Sequence, residues 1–196
     1  MGIKVLFIYP NTYGMNMLPP AIALFSALLK DHGHSVDLFD ATYYQTDHGI
    51  DSDGTKAERL NVVPFSASEK GIKMRETNWS DDIKVKVEDF QPDLIALSTT
   101  EDMWLLGVRM LDEIREFITR HKTPVIVGGV FPTFAPELVI KHDLVDMVCL
   151  GEGENTMIDL CDRIEKGNSW DDVTNIWAKN KDGSLIKNPI SNSFFN

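Results

Sequence analysis

The sequence predicts an α/β fold in which five parallel strands form a doubly wound sheet. Short apolar runs, among them residues 125–127 and 147–150, are continuously hydrophobic, which is typical of strands buried on both faces. Helical patterns separate these runs, and the first strand–helix–strand unit spans about 38 residues, as a parallel crossover requires. We therefore expect a Rossmann- or flavodoxin-like sheet in the order 2-1-3-4-5, with its switch point between strands one and three.

The first unit consists of two strands and the helix between them. Strand one covers residues 3–9, and the loop after it, residues 10–18, is rich in turn-forming residues. Pro19 and Pro20 open a helix that is apolar on nearly every face, so we expect this helix in the interior, packed on the sheet. Strand two follows at residues 36–39.

Residues 41–80 are polar and show no sustained helical or strand period. A stretch of this length is either an irregular insertion that forms an ordered lid over the strand ends or a mobile loop. Its aromatic residues favour partial order, and they are Tyr43, Tyr44, Phe65 and Trp79.

The alternation of helices and strands returns at Ser80. This residue, with Asp81 and Asp82, is expected to cap a helix. A later helix has the clearest amphipathic pattern in the chain, with an apolar face that covers the sheet. The remaining elements are predicted as helix 80–90, strand 93–97, helix 104–120, strand 125–127, helix 134–141, strand 146–150 and helix 154–166.

The alternation ends after Gly167. Residues 173–178 and 185–187 are typical of a small β-hairpin with an Asp-Gly turn. We predict an α/β domain over residues 1–167, followed by a hairpin and linker over residues 168–196.

The charge of the chain disfavours nucleic acid and membrane surfaces as partners. Lysines and arginines number 19 against 30 acids, which gives a net charge of −11. The apolar run at the N-terminus is too short to span a membrane and no cleavage site follows it, so we expect a cytoplasmic protein. The two cysteines, Cys149 and Cys161, lie in apolar patterns and are expected to be buried and inert.

Four loops should meet at the carboxyl ends of the strands, where sheets of this kind bind ligands. They are residues 10–18, 98–103, 128–133 and 151–154. Two of them contain glycines that directly follow a strand, which lets backbone and ligand approach closely. This rim is the candidate site.

The rim lacks the residues that phosphate binding requires. Neither a Gly-x-x-x-x-Gly-Lys-Ser/Thr sequence nor a Gly-x-Gly-x-x-Gly sequence after strand one is present. The carboxylates of Glu152 and Glu154 would repel a phosphate group. Hydroxyls, exposed backbone and apolar side chains instead suit a broad ligand with many neutral amide groups.

Each of these residues also has a purely structural interpretation. Glu152 and Glu154 would interact favourably with the positive end of the following helix dipole. Pro132 and Thr133 would begin a helix, and residues 98–100 would act as an N-cap.

Six short sequences occur in a fixed order along the chain. They are Lys4-Val-Leu-Phe-Ile-Tyr-Pro, Leu18-Pro-Pro, Gly33-His-Ser-Val-Asp-Leu-Phe-Asp, Pro92-Asp-Leu-Ile-Ala-Leu-Ser, Gly128-Gly-Val-Phe-Pro-Thr and Gly151-Glu-Gly-Glu. This ordered set resembles a known family, the N-terminal cobalamin (B12)-binding domain of B12-dependent radical SAM enzymes. The resemblance extends over about residues 3–167, and the hairpin resembles the segment that leads into the radical SAM barrel.

The resemblance implies that the chain binds cobalamin, as methylcobalamin or hydroxocobalamin, with the corrin across the strand ends and the nucleotide tail running into the domain. Replacing Gly129 with a bulky residue is then expected to abolish binding without unfolding the domain. Together with the loop after strand one, the expected cofactor-binding residues are Pro10, Asn11, Tyr13, Gly14, Ser98, Thr99, Thr100, Glu101, Gly128, Gly129, Val130, Phe131, Pro132, Thr133, Gly151, Glu152, Gly153 and Glu154.

The Asp-x-His-x-x-Gly sequence that supplies a histidine to cobalt in other B12 domains is missing, and Asp47-His48-Gly49 is only a partial match. The other histidines, His32, His34, His121 and His142, fall at predicted helix ends. The resemblance therefore implies base-off cobalamin without a histidine below the cobalt. We assign no catalytic residue and no protein metal ligand.

The Cys-x-x-x-Cys-x-x-Cys sequence of radical SAM chemistry is also missing. Either the chain is a fragment that ends before a radical SAM barrel, or it is a stand-alone cobalamin carrier. In the first case the barrel of the full-length chain is the partner, it alone holds the [4Fe–4S] cluster and S-adenosylmethionine, and the reaction implied is methyl transfer. Two alternatives stay open: a flavodoxin-like partner-binding domain without a cofactor, and a flavin or nucleotide binder.

Overall fold

The protein forms a single mixed sheet with helices on both faces. This computed structural model describes residues 2–12, 19–46, 69, 71–180 and 182–191. In chain order the elements are β1 (Lys4–Tyr9), α1 (Pro20–Asp31), β2 (Ser35–Asp40), α2 (Trp79–Phe90), β3 (Leu94–Ser98), α3 (Trp104–Glu113), α4 (Arg115–His121), β4 (Val125–Gly128), α5 (Val130–Phe134), α6 (Pro136–Val139), β5 (Met147–Cys149), α7 (Glu154–Lys166), β6 (Ile176–Lys179) and β7 (Leu185–Lys187).

The strand order is β2-β1-β3-β4-β5-β6-β7. The first five strands are parallel, which confirms the predicted doubly wound fold and its 2-1-3-4-5 order. The C-terminal hairpin is also present, and its strand β6 pairs antiparallel with β5, with Cys149 opposite Ile176. The hairpin therefore extends the same sheet and places the chain after it near the carboxyl end of β5.

Alternate residues of the central strands enter two separate cores. On one face Leu6, Ile95 and Val127 pack with α2, α3 and α4. On the other face Phe7 and Ile126 pack with α1 and α7. Because both faces are covered, most positions of the central strands are buried among apolar neighbours, and this explains the unbroken hydrophobic runs in the sequence.

Helix α1 is less buried than its sequence predicts. Ile22 and Leu29 are its only fully buried residues, whereas Leu24 is 46% exposed. The helix packs on the sheet as predicted, but it is not interior, because a helix on the outer layer of a doubly wound sheet turns only one face inward. Ala23 and Ala27 on the other side are small enough for exposure to water to cost little.

Three predicted helix boundaries also differ. The helix predicted at 104–120 is divided at Ile114 into α3 and α4. The helix predicted at 134–141 starts four residues earlier, at Val130, and is interrupted at Ala135, because Pro136 cannot donate a backbone hydrogen bond. Helix α2 is capped by Asn78, whose side chain accepts a hydrogen bond from the Ser80 N–H, and not by Ser80 itself.

Side chains close the amino end of the sheet. Asp93 accepts a hydrogen bond from the Lys4 N–H at 2.8 Å, and Asp146 accepts one from the Val125 N–H at 2.8 Å. The buried imidazole of His34 accepts a third hydrogen bond, from Ile3 N–H to Nδ1, at 3.2 Å. These strand-starting N–H groups have no ladder partner at this edge, so the side chains satisfy them.

Part of the irregular region at 41–80 is ordered. Tyr44 is buried, stacks on Phe39, and donates a hydrogen bond through its hydroxyl to Asp82 at 2.8 Å. Burial and this carboxylate raise the pKa of Tyr44 to about 12. Trp79 is likewise part of the core. Phe65 and most of residues 47–70 lie outside the described residues.

None of the helices in the described ranges is long and apolar enough to span a bilayer.

Candidate functional site

The carboxyl ends of β3, β4 and β5 surround a crevice with a volume of about 130 Å³. The crevice lies on the sheet face that is covered by α1 and α7, and its floor is apolar, with Phe7, Phe25 and Met157. Seven of the predicted site residues line it: Ser98, Gly128, Gly129, Gly151, Glu152, Gly153 and Glu154. Three of the four predicted loops therefore meet at one rim.

Strand geometry explains why Ser98 and Gly128 line the crevice. Side chains alternate between the two faces of a strand, and Ala96 and Ile126 belong to the core on the α1 and α7 side. Ser98 and Gly128 follow them by two residues and so point to the same face. A Cβ atom at Gly128 would meet only the Cβ of Cys149, at 3.7 Å, so a larger side chain there would extend into the crevice.

Gly129 brings the ends of β3 and β4 close together. Its φ is 110°, a conformation that favours glycine, and a Cβ atom at this position would lie 2.5 Å from the carbonyl oxygen of Thr99. A bulky residue at Gly129 would therefore displace the backbone. The expectation that such a variant leaves the fold intact is wrong, and Gly128 is the better position for narrowing the crevice.

Thr133 connects the two glycine segments of the rim. Its hydroxyl donates a hydrogen bond to the carbonyl of Gly129 at 2.9 Å and accepts one from the Gly151 N–H at 3.2 Å. With its proton committed to Gly129, the hydroxyl is left with acceptor capacity only. Thr133 therefore shapes the rim.

The two glutamates of the rim lie at the start of α7. Glu152 is exposed and Glu154 is half-buried. Burial of Cys149 beside the crevice raises the pKa of its thiol to about 12, and the charges of Glu154 and Glu152 add to this shift. Cys149 and Cys161 are both free and buried, as the sequence predicts, and Cys149 remains a neutral thiol at physiological pH.

Two residues after β1 do not line the crevice. Pro10 is buried close to Gly107 of α3, on the opposite face of the sheet. Asn11 is also buried, and its side-chain amide donates a hydrogen bond to the hydroxyl of Thr42 at 2.9 Å. Tyr13 and Gly14, which complete this predicted loop, lie outside the described residues.

The other predicted residues are distributed around the rim. Thr99 is buried and donates a hydrogen bond through its hydroxyl to the carbonyl of Thr100 at 2.9 Å. Phe131 packs against Trp104, with ring centroids 5.8 Å apart. Pro132 is buried, whereas the exposed members of the set are Thr100, Glu101 and Val130.

The structural interpretation of residues 98–100 as an N-cap is wrong. Helix α3 begins after Met103, which makes no side-chain capping bond. The hydroxyl of Ser98 is therefore not used to cap this helix.

Several crevice residues that come from helices were not predicted from the sequence. Ala21 and Phe25 come from α1, and Met157 comes from α7. The sequence shows that each helix has an apolar face, but only the fold shows that these two faces meet beside the strand ends. An apolar residue within one or two turns of the start of each helix is the signal that would have identified them.

The described histidines lie away from the crevice. His32, His34 and His121 precede the starts of β2 and β4 and so lie toward the amino end of the sheet. His142 packs edge-on against Trp104, with ring centroids 6.2 Å apart, and is not part of the crevice lining. The Asp47-His48-Gly49 sequence lies outside the described residues.

Comparison with known proteins identifies the domain type. Residues 66–160 match the family model of the B12 binding domain. This segment contains β3, β4, β5 and all three loops that line the crevice.

One curated relative aligns with most of the chain. Over 175 residues, the chain is 25% identical to a cytidylyl-2-hydroxyethylphosphonate methyltransferase of Streptomyces wedmorensis. The match includes 87% of this chain and 29% of the relative, so the chain spans less than a third of the methyltransferase's length.

Two solved structures share the fold. The radical S-adenosylmethionine methyltransferase TsrM from Kitasatospora setae, solved with cobalamin and a [4Fe–4S] cluster, aligns with a TM-score of 0.64 at 18% identity over 100% of this chain and 30% of its own. The cobalamin-dependent S-adenosylmethionine radical enzyme OxsB, with aqua-cobalamin and S-adenosylmethionine bound, aligns with a TM-score of 0.66 at 22% identity. That alignment covers 97% of this chain and 22% of OxsB.

The sequence-based identification is confirmed by these matches. The relatives are larger proteins, of which this chain corresponds to one part. Residues 66–160 therefore match a B12 binding domain, and the fold of the whole chain is similar to the corresponding parts of cobalamin-dependent radical SAM enzymes.

Proposed function

We propose that this domain binds cobalamin at the carboxyl end of the sheet, with the corrin across the rim and the nucleotide tail in the crevice between the sheet and helices α1 and α7. The observation that carries the proposal is the crevice itself. It opens where glycines follow or end the neighbouring strands β4 and β5, within the segment that matches the B12 binding domain.

The residues present fit the chemistry of this cofactor. The floor of the crevice is apolar, with Phe7, Phe25 and Met157, and suits the flat aromatic base of the tail. Gly128 has no side chain, and the space beside it is therefore free for a ligand. The rim adds neutral hydroxyls and the carboxylates of Glu152 and Glu154, which accept hydrogen bonds from the amide side chains of a corrin.

The chain's own residues bind and orient the cofactor, whose bound cobalt supplies the methyl-carrying chemistry. Cobalamin would be held base-off and without a histidine below the cobalt. In support, His32, His34 and His121 precede strand starts, at the other end of the sheet. The thiol of Cys149, with its raised pKa, stays protonated and does not compete for cobalt.

The domain would present cobalamin to a radical SAM barrel in the same full-length chain, for methyl transfer, in the cytoplasm. The larger size of the relatives supports this arrangement. In it the [4Fe–4S] cluster and S-adenosylmethionine belong to the barrel, since no group of three or more histidine, cysteine, aspartate or glutamate residues in the described ranges is arranged to hold a metal ion.

Retention of cobalamin tests the proposal. The purified chain is incubated with hydroxocobalamin and desalted, and we expect the corrin absorbance band to elute with the protein. A colourless protein with an intact circular dichroism spectrum would contradict the proposal and leave the cofactor-free partner-binding domain as the better explanation.

A volume series at Gly128 locates the site. Gly128→Ala adds a methyl group in ordinary contact distance of Cys149, whereas Gly128→Leu fills the crevice. We expect the Leu variant to bind at least about tenfold more weakly than the Ala variant, with similar unfolding midpoints for both. Equal affinities would exclude this crevice as the binding site.

A further inference from the structure

Asn175 lies behind the crevice wall, between α7 and the start of β6, and nothing in the predicted site includes it. Its side chain is buried, with 5% exposure, and its φ is 67°. We propose that Asn175 is a positioning residue, which holds the loop of residues 151–153 in the shape that the ligand requires. This inference rests on the proposed function, because the loop forms one wall of the cobalamin crevice.

The side chain of Asn175 makes three hydrogen bonds. Its amide nitrogen donates to the carbonyl of Glu152 at 2.9 Å and to the hydroxyl of Thr156 at 3.1 Å. Its oxygen accepts from the N–H of Ser191 at 2.6 Å. The two amide protons therefore bind the crevice wall and the first turn of α7, and the amide oxygen binds the segment after β7.

The backbone of Asn175 binds the residue that precedes the same loop. Its carbonyl accepts a hydrogen bond from the N–H of Leu150 at 2.9 Å, and its own N–H donates to Pro189 at 3.1 Å. One residue therefore fixes the wall both before and after Gly151. Because Gly151 has a φ of 68° and no side chain, the residues around it depend on such anchors for a defined shape.

These contacts also connect the wall with the chain that follows the hairpin. Ser191 and Pro189 bind to Asn175, and a Cβ atom at Gly151 would lie 3.9 Å from Ile190. A change in the backbone path of residues 189–191 would therefore alter the crevice wall, because Asn175 binds both segments. The cost of an imperfectly supported site appears mainly in ligand affinity, because a ligand must then fix the loop itself.

The positive φ of Asn175 permits a clean substitution. Glycine adopts this backbone conformation readily, so Asn175→Gly removes the side-chain bonds and leaves the backbone path available. Asn175→Asp retains the oxygen that accepts from Ser191 and replaces the donor to Glu152 with a carboxylate oxygen. The second variant removes both donated bonds and keeps the accepted one, with an added negative charge at this position.

Asn188 provides the matched control. It directly follows β7, and its side-chain amide donates to the carbonyls of Asp171 and Val173, both at 2.9 Å. Asn188→Gly therefore also removes two hydrogen bonds to the backbone, but neither of them reaches the crevice wall.

The experiment measures hydroxocobalamin affinity by equilibrium titration and the unfolding midpoint in urea for the four proteins. We expect Asn175→Gly and Asn175→Asp to bind at least about tenfold more weakly than the unmodified chain, a loss typical of removed supporting hydrogen bonds. Asn188→Gly should bind within about twofold of the unmodified chain while losing a similar amount of stability. Wild-type affinity in Asn175→Asp, or an equal loss in Asn188→Gly, would overturn the inference.

Hydrogen exchange of the cofactor-free protein separates this inference from the proposed function. We expect faster exchange at the amides of residues 150–153 in Asn175→Gly and unchanged exchange there in Asn188→Gly. Unchanged exchange in both variants would overturn the positioning role whether or not the chain binds cobalamin. Failure of the unmodified chain to retain cobalamin, with the exchange difference present, would instead overturn the proposed function alone.

Discussion

The two ends of the sheet are finished in opposite ways. At the amino end, the side chains of Asp93, Asp146 and His34 accept hydrogen bonds from backbone N–H groups at the strand starts. At the carboxyl end, β4 finishes in Gly128 and is followed by Gly129, and β5 is followed within two residues by Gly151. Polar side chains therefore cover the amino end of the sheet, whereas the glycines at the carboxyl end leave the crevice open.

This difference separates stability from binding. Polar side chains at the amino end satisfy backbone N–H groups at the strand starts and contribute to the free energy of unfolding. Missing side chains at the carboxyl end contribute little to stability directly, but they leave the crevice. Substitutions at the amino end should therefore lower stability, whereas substitutions at the carboxyl end should mainly weaken ligand binding. Gly129 is an exception, because it lies at the carboxyl end but makes a close backbone contact.

The largest expected effect on stability is at Gly129. Gly129→Ala places a methyl group 2.5 Å from the Thr99 carbonyl in a backbone conformation that alanine disfavours, and should lower the free energy of unfolding by about 3 kcal/mol. The control is Gly167→Ala, at a φ of 66° but with no atom within 4 Å of the added methyl group, for which we expect about 1 kcal/mol. Urea denaturation of both variants measures the difference. Equal losses would show that the close approach of β3 and β4 carries no strain.

The next largest expected effect is the loss of stability when an aspartate at the amino end is replaced, and two aspartates with the same role allow a comparison. Asp146 is largely buried and Asp93 is exposed, and each accepts one hydrogen bond from a strand-starting N–H. We expect Asp146→Ala to cost about 2 kcal/mol and Asp93→Ala less than about 1 kcal/mol, because water can replace the lost acceptor only at the exposed position. Thermal or urea unfolding of the two variants decides this, and a larger loss for Asp93→Ala would contradict the account.

The smallest effect is a pH dependence at Asp146. Burial raises the pKa of this carboxyl above its ordinary value of 3.8, although its hydrogen bond from Val125 opposes the shift. The folded protein therefore holds this proton more strongly than the unfolded chain, and this contribution to stability is present below pH 3.8 and is lost as the pH rises through the raised pKa.

Asp146→Asn removes the titration and retains an acceptor for Val125. We expect the stability of the unmodified chain, measured relative to Asp146→Asn, to decrease as the pH rises from below 3.8 to neutrality. Urea unfolding of both proteins across this pH range measures the gap. A gap that grows in favour of the unmodified chain at higher pH would show that the pKa is lowered by folding.

The sequence predicted the parts of the fold that depend on local pattern. The apolar strands and the glycines that follow them are contiguous in the chain, so Ser98, Gly128 and Gly151 could be assigned to one rim before the structure was known. The extended sheet was harder to predict, since the pairing of Cys149 with Ile176 joins residues that a helix separates.

The remaining errors concern side-chain direction and long-range contact. Pro10 and Asn11 follow a strand at the correct end of the sheet, but they turn toward the face opposite the crevice. Asn175 has no local pattern that distinguishes it, because its partners, Glu152 and Ser191, are 23 and 16 residues away in the chain. Such roles follow from the tertiary fold and not from sequence spacing.

Hydrogen exchange of the whole chain with and without hydroxocobalamin tests the central claim most directly. The account predicts slower exchange on binding at residues 98–101, 128–133 and 151–154, and no change at the amides of Ile3, Lys4 and Val125 at the closed end. Protection at the amino end, with the rim unchanged, would contradict the assignment of the open end of the sheet as the cobalamin site.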